Sequence, residues 1–119
     1  LPTLLDIADI PVRSEMDMPS LAESFMGQRT PIKQPIFGEY NRFYGQLYPV
    51  RMVVDGVWKY VHYFGPEGEL FDLSTDPGEM NNLVNNPNHE DDLVRMQALL
   101  AHWMGKSSDV FGMEQRFPI

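Results

Sequence analysis

Hydrophobic and polar positions follow different rhythms in successive parts of the chain. Pro2 at a first helical position, followed by Thr3, Leu4, Leu5, Asp6, Ile7 and Ala8, predicts a short helix. Leu4, Ile7 and Ala8 fall on one of its faces, with Asp6 and Asp9 turned away. Pro11, Pro19, Pro31 and Pro35 then leave room only for short elements. Among these, Ser20 with Glu23 forms a capping box ahead of Leu21, Ala22, Phe25 and Met26, and Gly27 stops the helix. Residues 28–34 read as a linker.

Beyond Pro35 the chain becomes aromatic and β-branched, with a strand expected near Ile36 to Tyr40. Val50 to Val54 and Val57 to Phe64 are apolar runs joined by Asp55-Gly56, which predicts a hairpin whose two central φ angles are both positive. A two-residue loop puts Val50, Met52, Val54, Val57 and Val61 on one face, and Arg51, Val53, Trp58, Tyr60 and His62 on the other. The first of these is the expected core face. Gly65-Pro66-Glu67-Gly68 reads as a turn, and Glu69 to Leu73 alternates apolar with acidic residues as a further strand. Asn86-Pro87 opens the longest helix, expected over 87–104, whose stripe Leu93, Met96, Leu100 and Trp103 ends at Gly105 and should cover the sheet. Phe111, Met113, Phe117 and Ile119 suggest a tail that packs. The predicted fold is α+β: a small antiparallel sheet of about four strands with one long C-terminal helix on one face.

Composition narrows the chemistry. The 119 residues include no cysteine, which excludes a disulfide scaffold, a Cys-ligated zinc site and a cysteine nucleophile. Nine Lys and Arg against seventeen Asp and Glu give a formal charge of −8, the wrong sign for nucleic acid or an anionic membrane. No apolar run reaches the roughly 18 residues that span a bilayer.

Candidate chemistry is sparse. Ser20 reads as a helix cap and Ser107 and Ser108 as residues trailing Gly105, and no Gly-x-Ser-x-Gly elbow is present. Adjacent Asp91 and Asp92 diverge by about 100° on a helix, so they read as helix-start electrostatics with Glu90 rather than as cation ligands. Asp76-Pro77-x-Glu79-x-x-Asn82 carries oxygen donors, but its Pro and Gly favour turn hydrogen bonds over a metal. His89 and His102 read as structural or solvated. His62 stands apart, beside Arg51, Trp58 and Tyr60 on the hairpin's polar and aromatic face.

Trp58-Lys59-Tyr60-Val61, Glu69-Leu70-Phe71-Asp72-Leu73, Asp76-Pro77-Gly78-Glu79 and Asn82-Leu83 occur in the order and spacing of the C-terminal region of arylsulfatase-type sulfatases, which this chain resembles over about residues 2 to 105. Pro2 to Ala8 and Ser20-Leu21 likewise resemble the close of that family's large α/β domain. Asp17-Met18-Pro19-Ser20-Leu21 departs from the pattern, which commonly has a glycine there. The resemblance implies three parts: the tail end of the large α/β domain with a linker over 1–34, a C-terminal subdomain over 35–106, and a tail over 107–119.

In that family a formylglycine, made from Cys or Ser in Cys/Ser-x-Pro-x-Arg, works beside a divalent cation, usually calcium. The motif and its metal ligands belong to the upstream domain, and none maps onto a residue here. The resemblance therefore implies an N-terminal catalytic domain as partner, a sulfate ester as its substrate, and a fragment inactive by itself. Arg42, Tyr44, Tyr48 and His62 are the candidates for a cleft rim, chosen by composition and face. Apolar faces at 4–8 and 21–26, deprived of that domain, would self-associate or stay mobile. Two other readings stand beside this one: a free-standing glycan- or protein-binding module, suggested by the aromatic stretch 37–48, and the same region of a phosphonate or phosphodiester hydrolase.

Overall fold

The computed structural model describes residues 1–11, 13, 16, 19–27, 34–43, 46–63 and 68–107, the side chains of residues 42, 43 and 46–48 excepted. Residues 28–33 of the expected linker, the Gly65 to Glu67 turn residues and the tail beyond Ser107 lie outside them. Two compact units divide the chain, Leu1–Lys33 and Gln34–Ile119.

In the first unit, α1 (Pro2–Ile7) begins with the expected proline at its start. It ends in a Schellman arrangement: Ile10 N–H donates to Leu5 O (2.8 Å), Asp9 N–H donates to Asp6 O (3.1 Å), and Asp9 holds the left-handed φ of 56°. Asp tolerates that conformation better than most residues. The second helix, α2 (Ala22–Phe25), is tied to α1 by polar contacts. Leu21 N–H donates to Thr3 Oγ1 (3.0 Å), and Ser20 Oγ donates to Asp6 while accepting the Ala22 amide (3.1 Å). The expected capping box of Ser20 with Glu23 is not formed: Leu21 is the N-cap, no side chain caps the helix, and Ser20, one residue earlier, accepts only the Ala22 amide. Leu4, Ile7, Phe25 and Met26 are 69%, 47%, 77% and 68% exposed.

The second unit is a four-stranded antiparallel sheet of order β1 (Ile36–Phe43), β2 (Gln46–Asp55), β3 (Trp58–Tyr63) and β4 (Gly68–Asp72), followed by a 3-10 turn (Pro87–His89) and α3 (Glu90–Lys106). The predicted α+β class, with one long C-terminal helix on an antiparallel sheet, is the observed one. Asp55 pairs with Trp58, so the hairpin loop is Gly56-Val57, one residue later than expected. Gly56 has φ 60° and Val57 is not among the residues of positive φ, so only the first central position is left-handed, the pattern of a type II′ turn.

The principal core corrects the sequence expectation. Cross-strand pairing aligns Phe37, Val53, Tyr60 and Leu70 on one face. Val53, Tyr60 and Leu70 form the buried cluster with Met96, Leu100 and Met104 of α3, with Phe37, Trp58, Leu93 and Trp103 packed against it. α3 therefore covers the face that carries Arg51 and His62, not the Val50, Met52 and Val54 face. Facing parity was legible from the strands, but the choice of side depends on where α3 lands. Val61 and Phe71, on the opposite face, are buried as well. The α3 stripe extends past Trp103 to Met104, and Gly105 lies inside the last turn, so the helix ends at Lys106.

Candidate functional site

The Asp76 to Asn82 segment is a turn built from its own donors and acceptors. Asp76 accepts the amides of Met80 (3.1 Å) and Asn81 (2.8 Å), and Glu79 pairs with Lys59. Asn82 Oδ1 accepts the amides of Leu70 and Val84, both at 3.0 Å, while its Nδ2 donates to Gly68 O (3.2 Å). Its side chain stands in for a further strand along the edge of β4, and Leu83 N–H adds a bond to Leu70 O (2.8 Å). The turn reading of these oxygen donors is the observed one.

Described serines have similar structural assignments. Ser74 Oγ bonds Asp72 (2.6 Å), and Ser107 Oγ bonds the carbonyls of Trp103 and Met104. Glu90, Asp91 and Asp92 occupy the first turn of α3, where the dipole favours them. His89 lies half-buried against Trp58, ring centroids 5.3 Å apart, and 3.7 Å from Asp92 Oδ2, while His102 is exposed. Among the described residues no group of three or more His, Asp or Glu side chains could hold a metal ion. The sequence contains no cysteine and no Ser-x-Pro-x-Arg.

Polar side chains converge instead on the α3 face of the sheet, toward the end remote from the Gly56 turn. His62 in β3 pairs with Arg51 in β2 and with Gly68 in β4. Arg51 is only 2% exposed, and its guanidinium donates to the carbonyls of Val50 (3.0 Å) and Tyr40 (3.3 Å). Two residues before His62 on the same face, Tyr60 brings its hydroxyl oxygen 3.4 Å from His62 Nδ1. From α3, Gln97 Nε2 donates to that oxygen at 3.3 Å.

Burial, aided by the Arg51 charge, holds the His62 imidazole below its ordinary pKa of 6.5. Burial raises the Tyr60 phenol, against a smaller opposing effect of the Gln97 hydrogen bond. A Cβ at Gly68 would stand 3.1 Å from the Tyr60 hydroxyl and 3.2 Å from its ring, so glycine is what lets this ring lie across β4. The ensemble sets an imidazole whose pKa is held down beside a buried guanidinium.

Of the four rim candidates, His62 is the one whose side chain is described. Tyr44 and the side chains of Arg42 and Tyr48 lie outside the described residues. Sequence reading placed Arg51 and Tyr60 beside His62 but gave neither a role, and it did not single out Gln97. The available signal was a lone amide next to Met96 in the apolar stripe of α3. No described helix is long and apolar enough to cross a membrane.

Comparison with known proteins agrees with the motif resemblance. The family model described as N-sulphoglucosamine sulphohydrolase, C-terminal, matches residues 1–106. A Δ4,5-hexuronate-2-O-sulfatase of Bacteroides thetaiotaomicron is 37% identical over 112 residues, covering 92% of this chain and 23% of the relative. A choline-sulfatase of Rhizobium meliloti is also 37% identical over 112 residues, covering 86% of this chain and 21% of the relative. The solved structure of a 2-O GAG sulfatase superposes with a TM-score of 0.76 at 35% identity, covering 91% of this chain and 24% of that one. The chain thus spans under a quarter of the length of these three relatives. Neither the free-standing module nor the phosphoester alternative is favoured by these likenesses. Matched along nearly all of its described length, from α1 through α3, the chain belongs to the sulfatase C-terminal family.

Proposed function

We propose that this chain works as the C-terminal subdomain of a sulfuric ester hydrolase, packing on an N-terminal catalytic domain and lending residues to the rim of the substrate cleft. The observation that carries this reading is the family match over 1–106 together with relatives some four times longer, in which this region is the C-terminal part. The commitment of Asp76, Glu79 and Asn82 to turn contacts supports a division of labour, with the formylglycine and the calcium ion supplied by the N-terminal domain. Its charge sharpens the argument. A sulfate ester is anionic and this chain carries −8, so a bound cation must supply the attraction. His62, Arg42, Tyr44 and Tyr48 are the residues that would line the rim. Exposed Leu4, Ile7, Phe25 and Met26 would be covered by the N-terminal domain and would drive self-association of the chain alone.

Assaying the 119-residue chain with an aryl sulfate and calcium tests this reading, beside a longer polypeptide that carries a Cys/Ser-x-Pro-x-Arg segment ahead of it. Turnover is expected only from the longer polypeptide, with KM raised there by His62→Ala. Turnover by the isolated chain would overturn the proposal.

A further inference from the structure

We propose that Asp55-Gly56 is a site of isoaspartate formation, held in check by the ion pair between Asp55 and Arg95. It is the one place in the 119 residues where Asp or Asn precedes glycine. In the reaction the Gly56 nitrogen attacks Cγ of the protonated Asp55 carboxyl. An N–Cγ bond forms, a Cγ–O bond breaks, and the amide hydrogen leaves with the hydroxyl as water. Water then opens the five-membered imide at either carbonyl. One opening restores Asp55, and the other gives its isomer, whose main chain runs through Cβ and Cγ and is one methylene longer.

Glycine is what opens this route. Gly56 is exposed, and apart from its chain neighbours no described atom lies within 4 Å of a Cβ built on it, so nothing shields its nitrogen from that side. Two features of the fold oppose closure. Asp55 pairs with Trp58 at the end of β2, in extended backbone, and the ring cannot close until the chain after its Cα turns out of that conformation. Arg95, from α3, donates through Nη1 to Asp55 Oδ2. While that bond holds, the carboxyl is not free to swing over the Gly56 nitrogen, and the oxygen it engages is not the one to leave as water. The pair can open without unfolding the chain, because its side chains are 43% and 30% exposed. Isomerisation would strike both elements at once: α3 would lose its tie to the β2–β3 turn, and the added methylene would fall in the hairpin that sets Val53 beside Tyr60 in the core.

Trypsin makes the test specific to this site. Cleavage after Arg51 and Lys59 releases peptide 52–59, which contains Asp55 as its one Asp and no Asn. The folded chain and its Arg95→Gln variant are incubated at neutral pH and digested, and the isoaspartyl form of the peptide is measured by enzymatic methyl transfer and by its separate chromatographic peak. It should accumulate about twofold to fivefold faster in Arg95→Gln, the change that loss of one exposed ion pair allows. About 1 M salt, which screens such a pair, should raise the wild-type rate toward that of Arg95→Gln and leave the variant's rate unmoved. Equal rates in the two chains at low salt, a wild-type rate indifferent to salt, or no isoaspartyl peptide from Arg95→Gln would each overturn the proposal.

Discussion

Phe37 and Trp103 stack face to face, their ring centroids 5.0 Å apart and their planes 2° from parallel, so that edge strand β1 is fastened to the last turns of α3. Among the described residues β1 has only β2 as a strand neighbour, and this contact ties it to the helix. Trp103→Ala removes both the stacked area and the packing on the Met96 and Leu100 cluster. Unfolding in urea should show a loss of about 2–4 kcal/mol, at or below the range for a fully buried aromatic because Trp103 is only partly buried. Trp103→Phe should recover much of that loss. A loss under about 0.5 kcal/mol for Trp103→Ala, the size of an ordinary surface change, would show that the stacking holds nothing.

Asn82 supplies the second fastening, at the other edge of the sheet. Removing its amide by Asn82→Ala leaves the Leu70 and Val84 N–H groups and the Gly68 carbonyl without their side-chain partner. Leu70 is wholly buried, so its amide has no water to turn to. The expected cost is about 1–3 kcal/mol, and hydrogen exchange at the Leu70 amide should accelerate by more than at the Val53 amide in the sheet centre. Asn82→Asp keeps the acceptor and loses the donor to Gly68, and should fall between the two. Equal exchange at Leu70 in the wild-type and Ala chains would contradict the strand-surrogate role.

These fastenings explain what local pattern could and could not reveal. The hairpin was legible because Asp-Gly between apolar runs is a strong local signal. Moving the two-residue loop on by one residue left face parity intact, since the shift alters both strands together. The core side was not legible. Val50, Met52 and Val54 on one face compete with Val53, Trp58 and Tyr60 on the other, and the winner is set by a helix some thirty residues further on. His62 could be placed beside Arg51, Trp58 and Tyr60 from alternation alone. The link from Gln97 to Tyr60 spans 37 positions, and no periodicity within α3 marks it. Asn82 was read correctly as a satisfier of backbone groups, because Asn after a Pro-Gly turn has that local chemistry, but its partners on β4 are a tertiary matter.

The environment of His62 predicts a pH dependence with a definite sign. Its folded-state pKa lies below the ordinary 6.5, through burial first and the Arg51 charge second. The unfolded chain therefore takes up a proton more readily than the folded one. Stability should be flat in this respect above about pH 6.5, fall as pH drops below it, and level off once the folded-state imidazole also protonates. His62→Gln should remove this part of the slope when urea midpoints are compared between neutral and mildly acidic pH. Asp72, whose carboxyl is held low by its hydrogen bonds with Ser74, acts only below its ordinary 3.8 and leaves the window clear. A slope unchanged by His62→Gln would mean that the imidazole titrates alike in the folded and unfolded chains.

Tyr63 and Glu69 predict the opposite sign at the alkaline end. The Tyr63 hydroxyl donates to Glu69 Oε2 at 2.7 Å across the β3–β4 pair. That bond, reinforced by burial and by repulsion between phenolate and carboxylate, pushes the phenol up to about 12. The folded chain then holds its proton where the unfolded chain has lost it. This contribution to stability is fully present below the ordinary 10.0 and disappears as pH rises through about 12. In an ultraviolet titration one of the five tyrosines should ionise late for this reason, and Glu69→Gln should bring it back toward 10.0. Tyr60 is also raised, but by burial, so it should stay late in the Glu69→Gln chain and separate the two causes. If Glu69→Gln leaves the whole titration curve unmoved, the Tyr63 proton is not held by the carboxylate, and this tie between β3 and β4 is weaker than its 2.7 Å length implies.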